Sequence, residues 1–240
     1  MLTTEGTLLG GQVRYTQPRT GFRSGIEPVL LAAAVPARPG ARVLEGGSGA
    51  GAALLCLAWR VPRLEGVGVE RDPELAELAR GNAATNDRRR VGFVTADMAL
   101  LPELGRFDHA CANPPYHPLG GTASPDPARE GAKRGEPGLP GLWAVALAAR
   151  LRPGGTLTLI LPALALAVAL DALDAAGCGS VIVFPLWPKI GRPAKLILLR
   201  GVRGGRAPLR LAPGLILHEE DGRFTAAAEA CLRGGAVLEL

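Results

Sequence analysis

The segment Arg42-Val-Leu-Glu-Gly-Gly-Ser-Gly-Ala-Gly51 carries the strongest indication of how this chain folds. A short apolar run that ends in an acid, Arg42–Glu45, is followed by glycines and then by a helix-like stretch, Ala50–Arg60. Glycines between a strand and a helix let the backbone turn sharply and approach a ligand closely, while the helix N-terminus offers unpaired N–H groups. The segment therefore predicts a ligand-binding loop after the first strand of an α/β sheet.

The same alternation of strand and helix patterns continues through most of the chain. Further strands are predicted at Gly66–Glu70, Val91–Thr95, Phe107–Ala112, Thr156–Leu161, Ser180–Phe184 and Ala194–Arg200. Helices are predicted at Pro73–Ala84, Leu139–Leu151 and Ala163–Ala176. Such alternation predicts a mostly parallel, doubly wound sheet. The last two strands follow each other without a helix between them, which predicts a closing antiparallel hairpin.

Length and composition set the broad class. The 240 residues suit one α/β domain, and 48% hydrophobic with 20% charged residues exclude general disorder. No apolar run reaches the roughly 18 residues that span a bilayer, and the first residues lack signal-peptide features. We expect a soluble, cytoplasmic protein that does not bind membranes. The four cysteines form no CxxC pair, so reduced thiols and no metal site are expected.

The glycine-rich loop leaves two cofactor classes open. Its glycines are Gly47, Gly49 and Gly51. The spacing Gly47-x-Gly49-x-x-Ala52 also fits a relaxed dinucleotide fingerprint, and Glu70 could hold the ribose of NAD. The acid Glu45 favours the other reading, because a carboxylate disfavours a neighbouring pyrophosphate. It suits S-adenosylmethionine, whose sulfonium and α-amino groups are positive. The loop is therefore interpreted as a site for S-adenosylmethionine.

Two further acids end neighbouring strands. Glu70 ends the second predicted strand, where its two oxygens can accept both ribose hydroxyls, and Asp97 follows the third, where it can accept from the adenine amino group. Either acid alone is weak evidence, since solvated acids are common at strand ends. Three acids at successive strand ends share the ligand-binding edge of a parallel sheet. Glu45, Glu70 and Asp97 are therefore predicted to bind the cofactor.

The tetrapeptide Asn113-Pro114-Pro115-Tyr116 directly follows the fourth predicted strand. Two prolines fix an extended backbone and remove two N–H donors, which leaves carbonyls free to point into a site. The Asn113 side-chain oxygen and the Pro114 carbonyl can each accept one hydrogen of an exocyclic amine, freeing the nitrogen lone pair to attack a methyl group. Tyr116 can stack on the base plane. These four residues are predicted to be catalytic, and Asn113 also to contact the cofactor.

Together, the glycine-rich loop, Glu70, Asp97 and Asn113–Tyr116 resemble class I S-adenosylmethionine-dependent methyltransferases that act on a planar nitrogen. The flanks Gln17–Ala32 and Leu217–Thr225, with Gly191-Arg-Pro-Ala-Lys195, resemble the bacterial tRNA(Val) adenine-N6 methyltransferase family. The resemblance implies a Rossmann-like, seven-stranded, mostly parallel sheet with a C-terminal antiparallel hairpin. It also implies methyl transfer to N6 of adenine in RNA, most specifically tRNA.

The resemblance also implies a division of the chain and leaves other activities open. One methyltransferase domain is expected over residues 1–240, with an N-terminal segment and helix (1–40) packing over the cofactor site and a C-terminal extension (201–240). A protein glutamine-N5 methyltransferase could use the same tetrapeptide. That family normally has a separate N-terminal helical domain, and the expectation of only about 40 residues before the first strand argues against it. A small-molecule N-methyltransferase, a non-catalytic nucleotide-binding module and an NAD-dependent oxidoreductase are the remaining alternatives.

Positive charge is concentrated late in the chain. No acidic residue lies between Asp174 and Glu219, whereas this interval contains seven Lys or Arg residues. A one-sign segment can bind phosphates, although a solvated surface would look the same. The expected RNA contacts lie at a sheet edge beside the active site. They are Lys189, Arg192 and Lys195, with Arg129, Lys133 and Arg134 in the Tyr116–Pro137 loop.

Overall fold

A computed structural model describes residues 1–20, 23–115 and 139–240 of the chain. The strands are β1 Thr3–Leu8, β2 Val13–Pro18, β3 Arg42–Gly46, β4 Glu65–Glu70, β5 Val91–Thr95, β6 Phe107–Ala112, β7 Leu151–Pro162, β8 Cys178–Trp187, β9 Leu196–Arg203, β10 Arg210–Leu211 and β11 Leu215–Ile216. The helices are α1 Glu27–Ala34, α2 Ala52–Arg60, α3 Pro73–Thr85, α4 Leu139–Ala148, α5 Leu166–Ala175 and α6 Ala226–Leu232. In the described residues, strands alternate with α-helices from β3 to β5 and from β6 to β8, and β6 follows β5 without an α-helix, as the sequence predicts.

One large sheet forms the centre, with the strand order β10-β8-β9-β7-β6-β3-β4-β5. Strands β3 to β7 run parallel, and β9 lies antiparallel between β7 and β8. This confirms the predicted seven-stranded, mostly parallel sheet and its closing hairpin. Two strands of two residues each, β10 and β11, pair with β8 and extend the sheet beyond the prediction.

Side chains alternate between the two faces of the sheet and build a core on each. Val43 and Cys111 pack with α1, α2, α3 and α6, whereas Leu44 and Ala110 pack on the opposite face with α4 and α5. Successive residues of a strand point to opposite faces, so a strand that is buried on both sides reads as a continuous apolar run. The fold therefore covers both faces of the central strands. Its cysteines are free and buried.

The chain also departs from the predicted elements at the N-terminal hairpin and at the start of β7. The first strand along the chain is not β3, because β1 and β2 form a separate antiparallel hairpin that the sequence patterns did not predict. Strand β7 begins at Leu151 rather than Thr156. Leu151 pairs with Phe107 and Thr156 pairs with His109, so residues 152–155 form a bulge within the strand. These differences leave the ligand-binding edge of the sheet unchanged.

The carboxyl ends of the parallel strands meet at one edge, which carries the candidate site. There Gly46 at the end of β3 pairs with Ala112 of β6 on one side and with Val69 of β4 on the other. The loops after β3, β4 and β6 are therefore neighbours. The loop over residues 188–195 lies at the same edge, because it joins the end of β8 to the start of β9, and Ala163 after β7 donates to the Lys195 carbonyl. No helix in the described part of the chain is long and apolar enough to cross a bilayer.

Candidate active site

A cavity of about 60 Å³ lies at this edge, between the loops of the sheet and the N-terminal segment. The loops contribute Glu45, Gly47, Ser48, Gly49, Ala50 and Asn113, and the N-terminal segment contributes Tyr15, Gln17, Pro18, Ser24 and Pro28. Four residues predicted from the sequence, Glu45, Gly47, Gly49 and Asn113, thus line one cavity. The glycine-rich loop and the residue after β6 meet here because β3 and β6 are hydrogen-bonded neighbours.

Glu45 is the buried acid of this cavity, with only 4% of its surface exposed. Its Oε2 accepts a hydrogen bond from the backbone N–H of Leu54 in the first turns of α2, at 3.2 Å. Burial raises the pKa of Glu45 to about 8; the bond from Leu54 opposes this shift, and the charge of Glu70 adds to it. A cationic ligand group in the cavity would therefore favour the ionised form of this carboxyl group.

The glycine-rich loop adopts conformations that only glycine accepts easily. Gly47 and Gly49 have φ angles of +64° and +53°, in the left-handed region. A β carbon at Gly49 would meet no atom of the described residues within 4 Å, whereas one at Gly47 would collide with the indole of Trp143. The Ser48 Oγ between them is buried and has no hydrogen-bond partner among the described residues. Gly51 follows as the left-handed residue before α2, packed against Phe93.

Glu70 and Asp97 lie at the same edge but do not line the cavity. Glu70 is joined to the glycine-rich loop, since its Oε2 accepts from the backbone N–H of Gly49 at 2.9 Å. Asp97 is exposed beyond β5, where its Oδ1 accepts from the backbone N–H of Ala99 at 2.8 Å. The three acids therefore occupy three successive strand ends, with Glu45 buried and Asp97 at the solvent-facing end of the row.

The tetrapeptide Asn113–Tyr116, which the sequence predicts to be catalytic, is described in part. Asn113 is half-buried at the cavity, Pro114 is buried and Pro115 is partly exposed. Tyr116 lies outside the described residues. The same is true of the three predicted RNA contacts Arg129, Lys133 and Arg134.

The acid-free interval divides between the two edges of the sheet. Arg192 and Lys195 are exposed in the 188–195 loop, at the same edge of the sheet as the cavity. Lys189 in the same loop donates to the Glu220 carbonyl at 2.8 Å. Arg203 lies at the far end of β9, on the opposite edge, and donates to the Ala176 carbonyl. Only part of the basic interval can therefore face a substrate at the cavity. Arg200, in the middle of β9, instead donates to the carbonyls of Ala34 and Leu240.

Sequence reasoning missed the residues that the N-terminal hairpin brings to the cavity. Tyr15 is 4% exposed, and its hydroxyl is 2.8 Å from the Ser24 Oγ. Burial raises the pKa of Tyr15 above its ordinary value; the bond to Ser24 opposes this, and the charge of Glu45 adds to it, so the phenol stays protonated. Gln17 accepts from the Ser24 backbone N–H at 3.1 Å. The alternation of Val13, Tyr15 and Gln17 with polar residues is a strand signal that could have located them.

Two asparagines were also missed. Asn82 in α3 is 3% exposed, and Asn86 follows one helical turn later. Both hydrogen-bond to the backbone of β2, Asn82 at Thr16 and Asn86 at Arg14. Asparagine is a poor helix former, so Asn82 inside α3, with a second asparagine four residues later directly after the helix, is a detectable signal of a tertiary role.

Comparison with known proteins gives consistent matches. A family model described as the methyltransferase small domain matches residues 27–125. A tRNA1(Val) (adenine(37)-N6)-methyltransferase from Aeromonas hydrophila is 30% identical over 223 residues, which cover 89% of this chain and 90% of the relative. A release factor glutamine methyltransferase from Mycolicibacterium smegmatis is 40% identical over 118 residues, covering 45% of this chain and 41% of the relative. A solved structure of a predicted O-methyltransferase from Agrobacterium tumefaciens superimposes with a TM-score of 0.74 at 27% identity, covering 88% and 98% of the two chains.

Proposed function

Because this chain belongs to the family of the tRNA1(Val) (adenine(37)-N6)-methyltransferases, we propose that it transfers the methyl group of S-adenosylmethionine to the exocyclic N6 of an adenine in tRNA. One observation carries the proposal. Asn113, the residue that would hold the amine, lines the same cavity as Glu45 and the glycine-rich loop, which would hold the cofactor. Methyl transfer needs the amine and the donor within reach of each other.

The residues around the cavity fit this cofactor. The buried carboxyl of Glu45 suits its ammonium group, the unpartnered Ser48 Oγ offers a hydrogen bond, and the open space at Gly49 permits close approach of the ligand to the backbone. Glu70 keeps a second lone pair on each oxygen for ribose hydroxyls, and Asp97 has an exposed carboxylate for the adenine amino group. Gly47 and Gly51 complete the proposed cofactor loop. When bound, S-adenosylmethionine supplies an electrophilic methyl group on a sulfonium.

The chain's own residues would activate the target amine. The Asn113 Oδ1 and the Pro114 carbonyl accept its two hydrogens, which draws the nitrogen lone pair out of conjugation with the ring. Pro115 restricts the backbone of Pro114 to an extended conformation, which would leave the Pro114 carbonyl available to the amine. Tyr116 stacks on the base, and the methylated amine then releases its proton without a dedicated base.

The target base must leave its stack to reach Asn113, so the protein must bind the flanking phosphates of the RNA. Lys189, Arg192 and Lys195 in the 188–195 loop are the described cations that we assign to this role, because that loop lies at the same edge of the sheet as the cavity. Arg129, Lys133 and Arg134 would act with them. Contacts to phosphates position an RNA without reading its sequence.

A protein glutamine is the competing substrate, since a side-chain amide presents the same two hydrogens as an exocyclic amine. The relative that acts on a release factor matches less than half of this chain, whereas the relative that acts on tRNA matches nearly all of it. The wider match favours RNA.

Purified protein should be incubated with S-adenosylmethionine carrying a labelled methyl group and, in separate reactions, with bulk tRNA and a release factor. The proposal expects label in tRNA only, recovered as N6-methyladenosine by nucleoside mass spectrometry. Mass spectrometry of tryptic peptides from the release factor tests whether the protein is methylated in the second reaction. Methylglutamine there, with unlabelled tRNA, would refute the RNA assignment but keep the methyl transfer.

A further inference from the structure

Asn82 holds the N-terminal hairpin and the glycine-rich loop with one side chain. Its Oδ1 accepts from the backbone N–H of Thr16 at 2.9 Å, and its Nδ2 donates to the Thr16 carbonyl at 2.8 Å. The second hydrogen of Nδ2 goes to the carbonyl of Ala50, in the loop after β3, at 3.0 Å. All three partners are backbone groups, and the asparagine itself is 3% exposed.

Asn86 makes the same pair of hydrogen bonds to the hairpin as Asn82 does, but it makes none to the glycine-rich loop. Its Oδ1 accepts from the N–H of Arg14 at 2.9 Å, and its Nδ2 donates to the Arg14 carbonyl at 2.7 Å. Its other donor bond goes to the Asn82 carbonyl, within the same helix. Asn86 therefore touches β2 as Asn82 does and has no bond to the glycine-rich loop.

The two asparagines match the repeat of a strand. Four residues of helix rise about 6 Å, and two residues of strand advance about 6.6 Å, so side chains one helical turn apart reach alternate residues of a neighbouring strand. The other edge of β2 pairs with β1, with Glu5 opposite Thr16 and Thr7 opposite Arg14. Helix α3 thus acts as the second neighbour of β2, and a displacement of β2 must break these bonds.

The two elements that Asn82 joins both line the cavity. Tyr15 and Gln17 flank Thr16 and face the cavity from the hairpin, while Ala50 and its neighbour Gly49 line it from the loop. We infer that Asn82 is a positioning residue for cofactor binding: it fixes the spacing between the hairpin that covers the cofactor and the loop that carries it. The inference rests on the proposed function, since it requires S-adenosylmethionine to bind in this cavity.

The comparison of Asn82→Ala with Asn86→Ala tests this role. Both variants free one residue of β2 from α3, but only Asn82→Ala also frees the Ala50 carbonyl. By calorimetric titration with S-adenosylmethionine, the Kd should rise about 10-fold in Asn82→Ala, as for loss of a buried hydrogen bond, and by no more than about 2-fold in Asn86→Ala. In turnover assays the KM for the cofactor should rise in Asn82→Ala with a smaller change in kcat. Equal Kd values in the two variants would overturn the inference.

Hydrogen exchange on the unaltered protein gives a readout that does not depend on the folding of a variant. Saturating S-adenosylmethionine should slow exchange of the Thr16 amide more than that of the Arg14 amide, because only the Thr16 bond partner also holds the loop. Equal slowing at both amides would count against the role. Absence of any binding to the wild-type protein would instead refute the proposed function, so the two failures are distinguishable.

Discussion

Glu70 holds Gly49: the carboxylate that ends β4 accepts a hydrogen bond from the N–H of the middle glycine of the loop, with 2.9 Å between nitrogen and oxygen. The other oxygen of Glu70 accepts from the backbone N–H of Asp72 at 3.0 Å, just before α3 begins. One side chain thereby ties the loop after β3 to the turn after β4. The residue proposed to bind the ribose also fixes the loop that would surround the rest of the cofactor.

Replacing Glu70 with alanine should therefore weaken cofactor binding. Loss of charged hydrogen bonds costs about 1.5–3 kcal/mol, which corresponds to a Kd for S-adenosylmethionine raised roughly 10- to 150-fold in a calorimetric titration. Glu77→Ala is the control, because it also removes a carboxylate but from an exposed ion pair with Arg80 on α3. Unchanged affinity in Glu70→Ala would contradict the ribose assignment.

Asn113→Ala should separate chemistry from cofactor binding. The variant loses the acceptor proposed for one amine hydrogen, so methylation of tRNA under saturating substrate should fall about 100-fold or more. Calorimetric affinity for S-adenosylmethionine should change little, and circular dichroism should report an intact fold. A variant that methylates at the wild-type rate would show that the tetrapeptide does not activate the amine.

The division of the basic residues between two edges predicts an edge-specific salt dependence. The triple variant Lys189→Ala, Arg192→Ala and Lys195→Ala should bind tRNA with a shallower salt slope. The slope should decrease by about 0.7 to 0.9 for each phosphate that these cations neutralise in the wild-type complex. Cofactor affinity should not change.

The matched control for this experiment removes three cations from the opposite edge. Arg63, Arg89 and Arg206 are exposed and lie before β4, before β5 and after β9, at the amino ends of the parallel strands. Their replacement with alanine changes the net charge equally but should leave the salt slope as in the wild type. The same slope change in both triples would indicate a nonspecific effect of charge rather than a binding edge.

Glu45 predicts a pH dependence of stability. Its pKa is raised from about 4.5 to about 8, mainly by burial, so between these values the folded protein binds one proton more than the unfolded chain. The free energy of unfolding should therefore decrease as the pH rises through this window, by up to about 1.4 kcal/mol per pH unit, and level off above it.

Glu45→Gln removes the ionisable group and should flatten that decrease in denaturant titrations between pH 5 and pH 8, taken in the absence of cofactor. Glu77→Gln is the control, since it neutralises a side chain that is 74% exposed. If the wild type and Glu45→Gln lose stability in parallel with rising pH, another group must be responsible.

Much of the site could be predicted from the sequence, because it lies at strand ends. Glu45, Glu70 and Asn113 each follow an apolar run, and the carboxyl ends of parallel strands meet at one edge in any sheet of this kind. The alternation of strands with helices sufficed to predict that edge. The local rules that govern glycine turns predicted the loop before α2. The predicted start of α3 at Pro73 is the observed one, and Asp72 caps it, since its side chain accepts from the N–H groups of Glu74 and Leu75.

The hydrogen bonds between the Asn82 side chain and the Thr16 backbone were decided only by the tertiary structure. The two residues are 66 positions apart, and no local pattern states that β2 runs along α3. The same holds for Tyr15 and Ser24 at the cavity, since the hairpin of β1 and β2 pairs with no strand of the central sheet. Where a separate hairpin docks depends on which backbone groups it leaves unpaired and which side chains can satisfy them.

Strand direction likewise decided which cations can reach a substrate. The sequence by itself determined that the interval after Asp174 is basic, and that two strands within it form a hairpin. Because β9 runs antiparallel to β7, its start at Leu196 lies at the edge of the sheet that carries the cavity, and its end at Arg203 lies at the opposite edge. Residues adjacent in a charge run are thereby separated by the length of a strand, and only the folded sheet distinguishes the cations at the edge that carries Asn113 from those at the opposite edge.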